Sequence, residues 1–368
     1  MTTHLHVLKG CSPVPLANYL KALGILRLVG EQADPHARGW WQDEAFCLLT
    51  RMSEEELEVF FLERYEPTPL LSPWNKGCGF FKKDDPGLCP LERSQAKRFE
   101  RFRQGIKEAR RLLDEIAEAD AVIRAIKART KTNKAFQSEE QRQLLANSTV
   151  YRGIVDQLRA ELAKPVLLAT NWAALEQELS TVRSVVTPAV KPPSKAEATA
   201  LKSSRGFKRL QAAADRPFKS LKATLIPDCR LSWRGPHADW LSTAVVLDEN
   251  GEPHWPSLLG TGGNDGNLDF TNNYMQQLGV LFDLVSPNGA ARPQARDLLQ
   301  HALWMDAVNN LLPSSIGQYQ PGSAGGANSS IGFASGNLIN PWDFVLMMEG
   351  TLLFRCAATR RGPGSAAS

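Results

Sequence analysis

Residues 91–129 read LERSQAKRFERFRQGIKEARRLLDEIAEADAVIRAIKAR, and their spacing decides the class of the fold. Phe99, Phe102, Ile106, Leu112, Leu113, Ile116, Val122, Ile123 and Ile126 recur at steps of three and four, the period of a helix with one buried face. The stretch predicts one long helix from Leu91 to Arg129. Its polar face is basic first (Arg93, Lys97, Arg98, Arg101, Arg103, Lys107, Arg110, Arg111). It then turns acidic (Asp114, Glu115, Glu118, Asp120) and basic again (Arg124, Lys127, Arg129, Lys131, Lys134).

Upstream, Ser12 before Pro13 predicts a helix start, with Leu16, Tyr19, Leu20, Leu23 and Leu26 following at helical spacing. Trp40–Leu49 alternates weakly and predicts a short strand. Ser53 with Glu56 is a capping box for a helix through Tyr65, and Pro67–Gly79 is loop. Downstream, helices are predicted over Glu139–Ala163 and Asn171–Val185, and Thr187–Ser194 reads as a proline-rich hinge. Leu241–Leu247 predicts a strand, Asp248–Gly251 a turn, and Thr271–Val285 and Arg292–Val308 two helices. Pro321–Gly336 is a second glycine- and asparagine-rich loop, and Asn340-Pro341-Trp342-Asp343 caps and opens the last helix. The sum is an α+β fold, mainly α-helical with a few short strands, multi-domain and irregular. Four segments are read from composition: 1–92, a helical region 93–190 with its basic helix, a basic and mobile segment 191–235, and an acidic glycine/asparagine-loop domain 236–368.

The 368 residues, 43% hydrophobic and 22% charged, are those of a globular protein with room for a buried core. The net charge of +4 conceals a split. Eleven basic residues fall between Lys191 and Arg234 against three acids, with Phe207, Phe218 and Trp233 interleaved. From His237 to Gly350 only Arg292 and Arg296 oppose eleven carboxylates. Such a split suits a polyanion held on one side of the molecule, and aromatic rings among cations suit unpaired bases. The six cysteines form no CxxC pair, so no structural zinc site is expected, and reduced thiols fit a cytoplasmic protein. No signal peptide and no membrane span are read.

Leu259–Asn273, LGTGGNDGNLDFTNN, is the densest run of glycine and short amide side chains in the chain. It lacks the third glycine of a dinucleotide fingerprint, the lysine of a phosphate-binding P-loop and the closing glutamate of a calcium loop. What remains is a shaped loop running into a helix N-terminus, with amides suited to an anion or a base edge. Catalytic patterns are sparse: there is no [DE]-x-K nuclease pattern, no adjacent His-Asp pair, no HExxH and no G-x-S-x-G elbow. Asp265 and Asp269 are the one pair around which a metal- or nucleotide-dependent enzyme could be centred. A third reading is an interaction scaffold whose basic faces are only solvated.

Five blocks carry a family resemblance: LKGCSPVPLANYLKALGILRLV from Leu8, SPWNKGCGF from Ser72, LLGTGGNDGNLDFTNNYMQQLG from Leu258, GGANSSIGF from Gly325, and NPWDFVLMMEGTLLF from Asn340. In this order they resemble the large subunit of the type I-G (formerly I-U) CRISPR effector complex, the Cascade of that subtype. The resemblance implies a non-catalytic subunit without cofactor or metal. It would sit near the 5′ handle of the CRISPR RNA, check the motif flanking the DNA target (PAM) and help open the duplex. Its partners would be CRISPR RNA, double-stranded target DNA, the backbone and RNA-processing subunits, and a helicase–nuclease recruited after target binding, with no membrane. Two departures are plain. Asn75-Lys76-Gly77 replaces an expected Asn-Gly-Gly, and the resemblance leads us to expect a C-terminal helical portion beyond the last block, which the 368 residues do not contain. Lys97, Arg98, Arg101, Lys202, Arg205, Lys208 and Arg209 are the expected contacts to a phosphate backbone. Asn75, Lys76, Asn264 and Asn267 are expected near the flanking motif or the RNA handle.

Overall fold

The computed structural model describes residues 2–164, 169–189, 191–248, 250–256, 258–259, 269–309, 311–314, 316, 319–324 and 337–354. The fold is mainly helical α+β, as its apolar periodicities require. It divides into two units, 1–111 with 227–368, and 112–226.

Unit 1 opens with β1 (His4–Leu8), α1 (Leu16–Gln32), β2 (Arg38–Gln42) and β3 (Ala45–Thr50). The strands pair antiparallel in the order β1-β3-β2, with Val7 opposite Cys47 and Trp41 opposite Phe46. The single strand predicted over Trp40–Leu49 is therefore a hairpin, turning at Asp43 in left-handed backbone. The start of α1 also differs. Ser12 donates to the Val14 carbonyl instead of capping, and the helix begins after Pro15. The Ser53/Glu56 capping box forms as read, opening α2 (Glu54–Val59), which continues as a π-helical turn over Phe60–Arg64.

The helix predicted over Leu91–Arg129 is interrupted. It comprises α3 (Leu88–Arg93), a 3-10 turn at Lys97–Phe99 and α4 (Glu100–Ala128). Arg103 Nη1 donates to the Ser94 and Ala96 carbonyls at 2.8 Å, satisfying backbone acceptors that the break leaves open.

Unit 2 holds the later part of α4 with α5 (Glu139–Asn147), α6 (Thr149–Leu162), α7 (Ala169–Val186), α8 (Lys195–Ser203) and most of α9 (Arg205–Ser232). Ser148 caps α6 and splits the helix predicted over Glu139–Ala163. Val122, Ile126, Leu158, Val182, Phe207 and Leu210 meet in one apolar cluster. The basic segment 191–235 holds the two helices α8 and α9, with a face buried in this cluster. Unit 2 carries 19 Lys and Arg against 12 Asp and Glu, net +7, which leaves −3 for unit 1.

Back in unit 1 follow α10 (Pro236–Ala244), the β4 (Val246–Leu247) and β5 (Pro253–His254) hairpin, α11 (Phe270–Leu281), α12 (Ala295–Trp304), the β6 (Leu312–Ser314) and β7 (Asn337–Ile339) pair, and α13 (Pro341–Thr351). Leu241–Leu247 was expected to be a strand. Gly235 followed by Pro236 instead starts a helix that takes in most of it. The turn at Asp248–Gly251 forms as read, with Gly251 at positive φ donating to the Asp248 carbonyl.

Helix α13 is the centre of unit 1, buried at every residue except Asp343. It packs on α1, α11 and α12. Gly24 of α1 and Gly350 of α13 meet backbone to backbone. A Cβ on Gly350 would overlap the Leu20 carbonyl oxygen and lie 2.8 Å from its carbon, and one on Gly24 would overlap the Leu346 carbonyl oxygen. Around this crossing the charged groups are paired. Lys21 meets Asp343 at 2.7 Å, and Arg27 binds the fully buried Glu349. Glu349 also accepts from the Tyr65 and Tyr274 hydroxyls, each at 2.6 Å, and from Thr68 N. Burial and the Glu349 charge hold both phenols well above the ordinary tyrosine range. No described helix is long and apolar enough to cross a membrane.

Candidate nucleic-acid interface

The loop before α3 is shaped by its own small residues. Asn75 accepts from Gly77 N at 3.0 Å and caps a 3-10 turn over Lys76–Cys78. Gly79 follows at φ 106°, where a Cβ would also strike Asp85. Asp85 accepts from Gly87 N, Leu88 N and the Asn272 amide at 2.7 Å. Against the cost of burial, these bonds hold its carboxyl below the usual range. Asn272 also donates to the Cys78 carbonyl. Two separate sequence blocks, Ser72–Phe80 and the end of Leu259–Asn273, are thereby joined into one structure.

Asp269 caps α11. Its Oδ1 accepts from Thr271 Oγ1 at 2.7 Å and Asn272 N at 2.9 Å. Its Oδ2 has no hydrogen-bond partner among the described residues and lies beside Gly77, where a Cβ would come within 2.6 Å. Burial raises the Asp269 carboxyl above its ordinary value, against the pull of those bonds.

A pocket of about 170 Å³ opens beside this cap. Trp74, Trp240, Trp255 and Phe270 supply aromatic faces, and Asn75, Asp269 and Thr271 supply polar groups. Trp240 is fixed by an Nε1–H bond to the Leu71 carbonyl at 3.0 Å. Trp255 is half exposed and stands 6.5 Å from Trp74 between centroids. Flat apolar faces with an amide close by suit a stacked base. Trp240, Trp255 and Phe270 were not singled out in the sequence, since tryptophans 15 to 181 residues apart give no local sign of meeting. Asn264, Asn267 and Asp265 lie outside the described residues, as does the side chain of Lys76.

The expected backbone contacts separate. Lys97 is exposed. Arg98 differs from these exposed cations: it is buried, with its guanidinium 4.2 Å over the Phe282 ring and Nη2 bonded to the Leu62 carbonyl. Arg101 pairs with Glu66 at 3.3 Å. In unit 2, Lys202 and Lys208 are exposed. Arg205 stands 3.7 Å from Glu178, and Arg209 forks onto Glu161 at 2.6 and 3.3 Å.

The stronger feature is longer than the residues selected from sequence. Arg205, Lys208, Arg216, Lys219 and Lys222 are all exposed on α9. At 100° per residue they fall within an arc of about 120° and extend over about 25 Å. Phe207, Leu210 and Ala214 occupy the opposite face, in the core of unit 2. The step-of-three spacing of Arg216, Lys219 and Lys222 is legible in the sequence, and Pro217 is accommodated among them within α9.

Two of the histidines have structural partners. His6 bonds to the Met52 carbonyl, and His237 pairs with Glu108 at 2.9 Å. Among the described residues no three His, Cys, Asp or Glu side chains group as metal ligands. Cys11, Cys47, Cys78, Cys89 and Cys229 are free and buried. Burial pushes the thiols of Cys11, Cys78 and Cys229 up to about 12. At pH 8 a thiol of that pKa is ionised to about one part in 10⁴. Iodoacetamide at pH 8 is therefore expected to leave these three unmodified in the folded chain and to label all three in denaturant. Peptide mass spectrometry reads the difference, and labelling of any of them without denaturant would contradict the burial.

Comparison with protein-family models and with curated proteins finds no match to this chain.

Proposed function

We propose that the chain is a non-catalytic large subunit of a type I CRISPR RNA-guided surveillance complex, acting in antiviral defence in the cytoplasm. It binds the phosphate backbone of double-stranded target DNA and reads the flanking motif close to the guide-RNA handle. The observation that carries the nucleic-acid reading is the stripe of five exposed cations on α9, set against an apolar face in a unit of net charge +7. A straight stripe of this length spans the axial rise of about seven base pairs of duplex. The aromatic pocket beside Asn75 supports a second contact, to a base. The sequence blocks supply the family assignment and with it the partners: backbone and RNA-processing subunits, CRISPR RNA, and a helicase–nuclease recruited after the target is found.

Co-expression tests the reading. The chain is expected to purify with the backbone and RNA-processing subunits and a short guide RNA. In that complex Trp255→Ala removes an exposed stacking face and is expected to weaken target binding about 5- to 30-fold on the preferred flanking sequence. Binding to a guide-complementary single strand without flanking duplex should hardly change. Failure to co-purify with guide RNA, or equal loss on both targets, would sink the proposal.

A further inference from the structure

The acid-rich span from His237 to Gly350 contains two cations, Arg292 and Arg296. Both line one cavity of about 490 Å³ in unit 1, and Arg98 lines it with them. The cavity is a groove between the 3-10 turn at Lys97–Phe99 and the start of α12.

Arg98 is the unusual member. It is 6% exposed, and its Nη1 has no hydrogen-bond partner among the described residues. Its one bond goes to a neutral carbonyl, and no ion pair holds it among the described residues. Buried charges are ordinarily paired, because desolvation is otherwise too costly. Burial pulls the Arg98 pKa down to about 10, outweighing the opposing influence of Tyr65, Glu63 and Glu66. Phe282 and Gly289 fix the side chain in place. Gly289 sits at φ 58°, and a Cβ there would come within 3.2 Å of Arg98 Cγ.

The other two arginines are partly used. Glu58 binds Arg296, and Asp283 lies in Coulombic range of Arg292. Arg292 Nε donates to the Gly279 and Phe282 carbonyls, while the side chain is exposed. Glu63 also lines the cavity. Glu58 answers Arg296 and Asp283 answers Arg292, while Glu63 and Glu66 act on Arg98 through space and form no ion pair with it among the described residues. The first turn of α12 adds its positive end at Arg292–Arg296.

We propose that this cavity binds a phosphate group, with Arg98 and Arg292 as its principal donors. Guanidinium groups arriving from two chain segments suit a tetrahedral oxyanion, whose oxygens lie in more than one plane, better than a planar carboxylate. The phosphate is either free or part of a nucleic-acid strand, and the cavity is separate from the α9 stripe.

The test uses the purified full chain at pH 7 and fixed ionic strength. Inorganic phosphate at 10 mM is expected to raise Tm by about 2–4 °C over sodium chloride. Arg292→Gln, on the exposed side of the cavity, should weaken phosphate binding about tenfold by calorimetry and remove the rise. Arg98→Met should abolish it. Where that variant fails to fold, Arg292→Gln carries the test alone. Equal melting in phosphate and chloride, an equal or larger rise with acetate, or a rise that survives Arg292→Gln would overturn the site. Competition by a 5′-hydroxyl oligothymidylate assigns the phosphate to a strand, and lack of competition assigns it to a free ion. A chain reversed in charge on α9 should keep the phosphate response. Loss of DNA binding there would bear on the proposed function alone.

Discussion

Gly350→Ala is expected to cost unit 1 about 3 kcal/mol or more and to lower Tm by about 6–12 °C. The added methyl would overlap the Leu20 carbonyl oxygen and lie 3.0 Å from Gly24 N, both backbone atoms of α1. A side chain could rotate aside, but two helix backbones can only separate. Separation stretches the pairs that span them, Lys21 with Asp343 and Arg27 with Glu349, which are costly to leave half-made in a dry interior. Gly24→Ala meets the Leu346 carbonyl from the other side and should cost a similar amount. The double variant should cost less than the sum, because one separation makes room for both methyls. Thermal and urea melts of the four chains give this cycle. A Gly350→Ala chain melting within 2 °C of the parent would refute the close crossing.

Reversing Lys208, Arg216, Lys219 and Lys222 to Glu is expected to weaken duplex DNA binding by the assembled complex about 10³-fold at 0.1 M salt. The slope of log K against log salt should fall by about 3–4, since each neutralised phosphate contributes about 0.9. All four side chains are exposed on the face of α9 opposite Phe207 and Leu210, so the helix content should not change. Arg209→Ala is the informative contrast. Its guanidinium already forks onto Glu161 and approaches Glu178, so its loss should move the slope by less than one contact. A full contact's worth of slope for Arg209, or an unchanged slope for the quadruple variant, would show that α9 does not lie along the duplex.

What could be read from the chain was local. The Ser53/Glu56 capping box and the Asn340-Pro341 start are fixed by residues within three positions of each other, so both helices begin where the sequence puts them. The interruption at Ser94–Ala96 was missed because it contains neither glycine nor proline, and its open carbonyls are answered by Arg103, which looked like one more surface cation. Arg98 and Arg101 are indistinguishable by spacing. What separates them is Phe282, far along the chain, whose ring covers one and not the other. The aromatic pocket was half legible. Asn75 and the Leu259–Asn273 stretch each announced a shaped loop, but the Asn272–Asp85 bond that ties them together is a contact across 187 residues. The pairing of Gly24 with Gly350 likewise left no mark in either helix.

That last pairing bears on how the chain folds as it is made. Helix α1 is synthesised early, yet the groove it fits is on α13, more than three hundred residues later. At 5–20 residues per second, α1 waits on the order of 15–60 s for its partner. Its buried face, Leu20, Ile25 and Leu28 among others, has no final cover during that interval. Unit 2 is contiguous over 112–226 and has emerged whole well before then. The order of assembly is therefore inverted with respect to the sequence. The inserted, basic unit can complete its core first, while the surrounding unit closes only when its last described helix arrives. Chains truncated after residue 230 and released from the ribosome should show a protease-resistant unit 2 and a protease-sensitive first hundred residues.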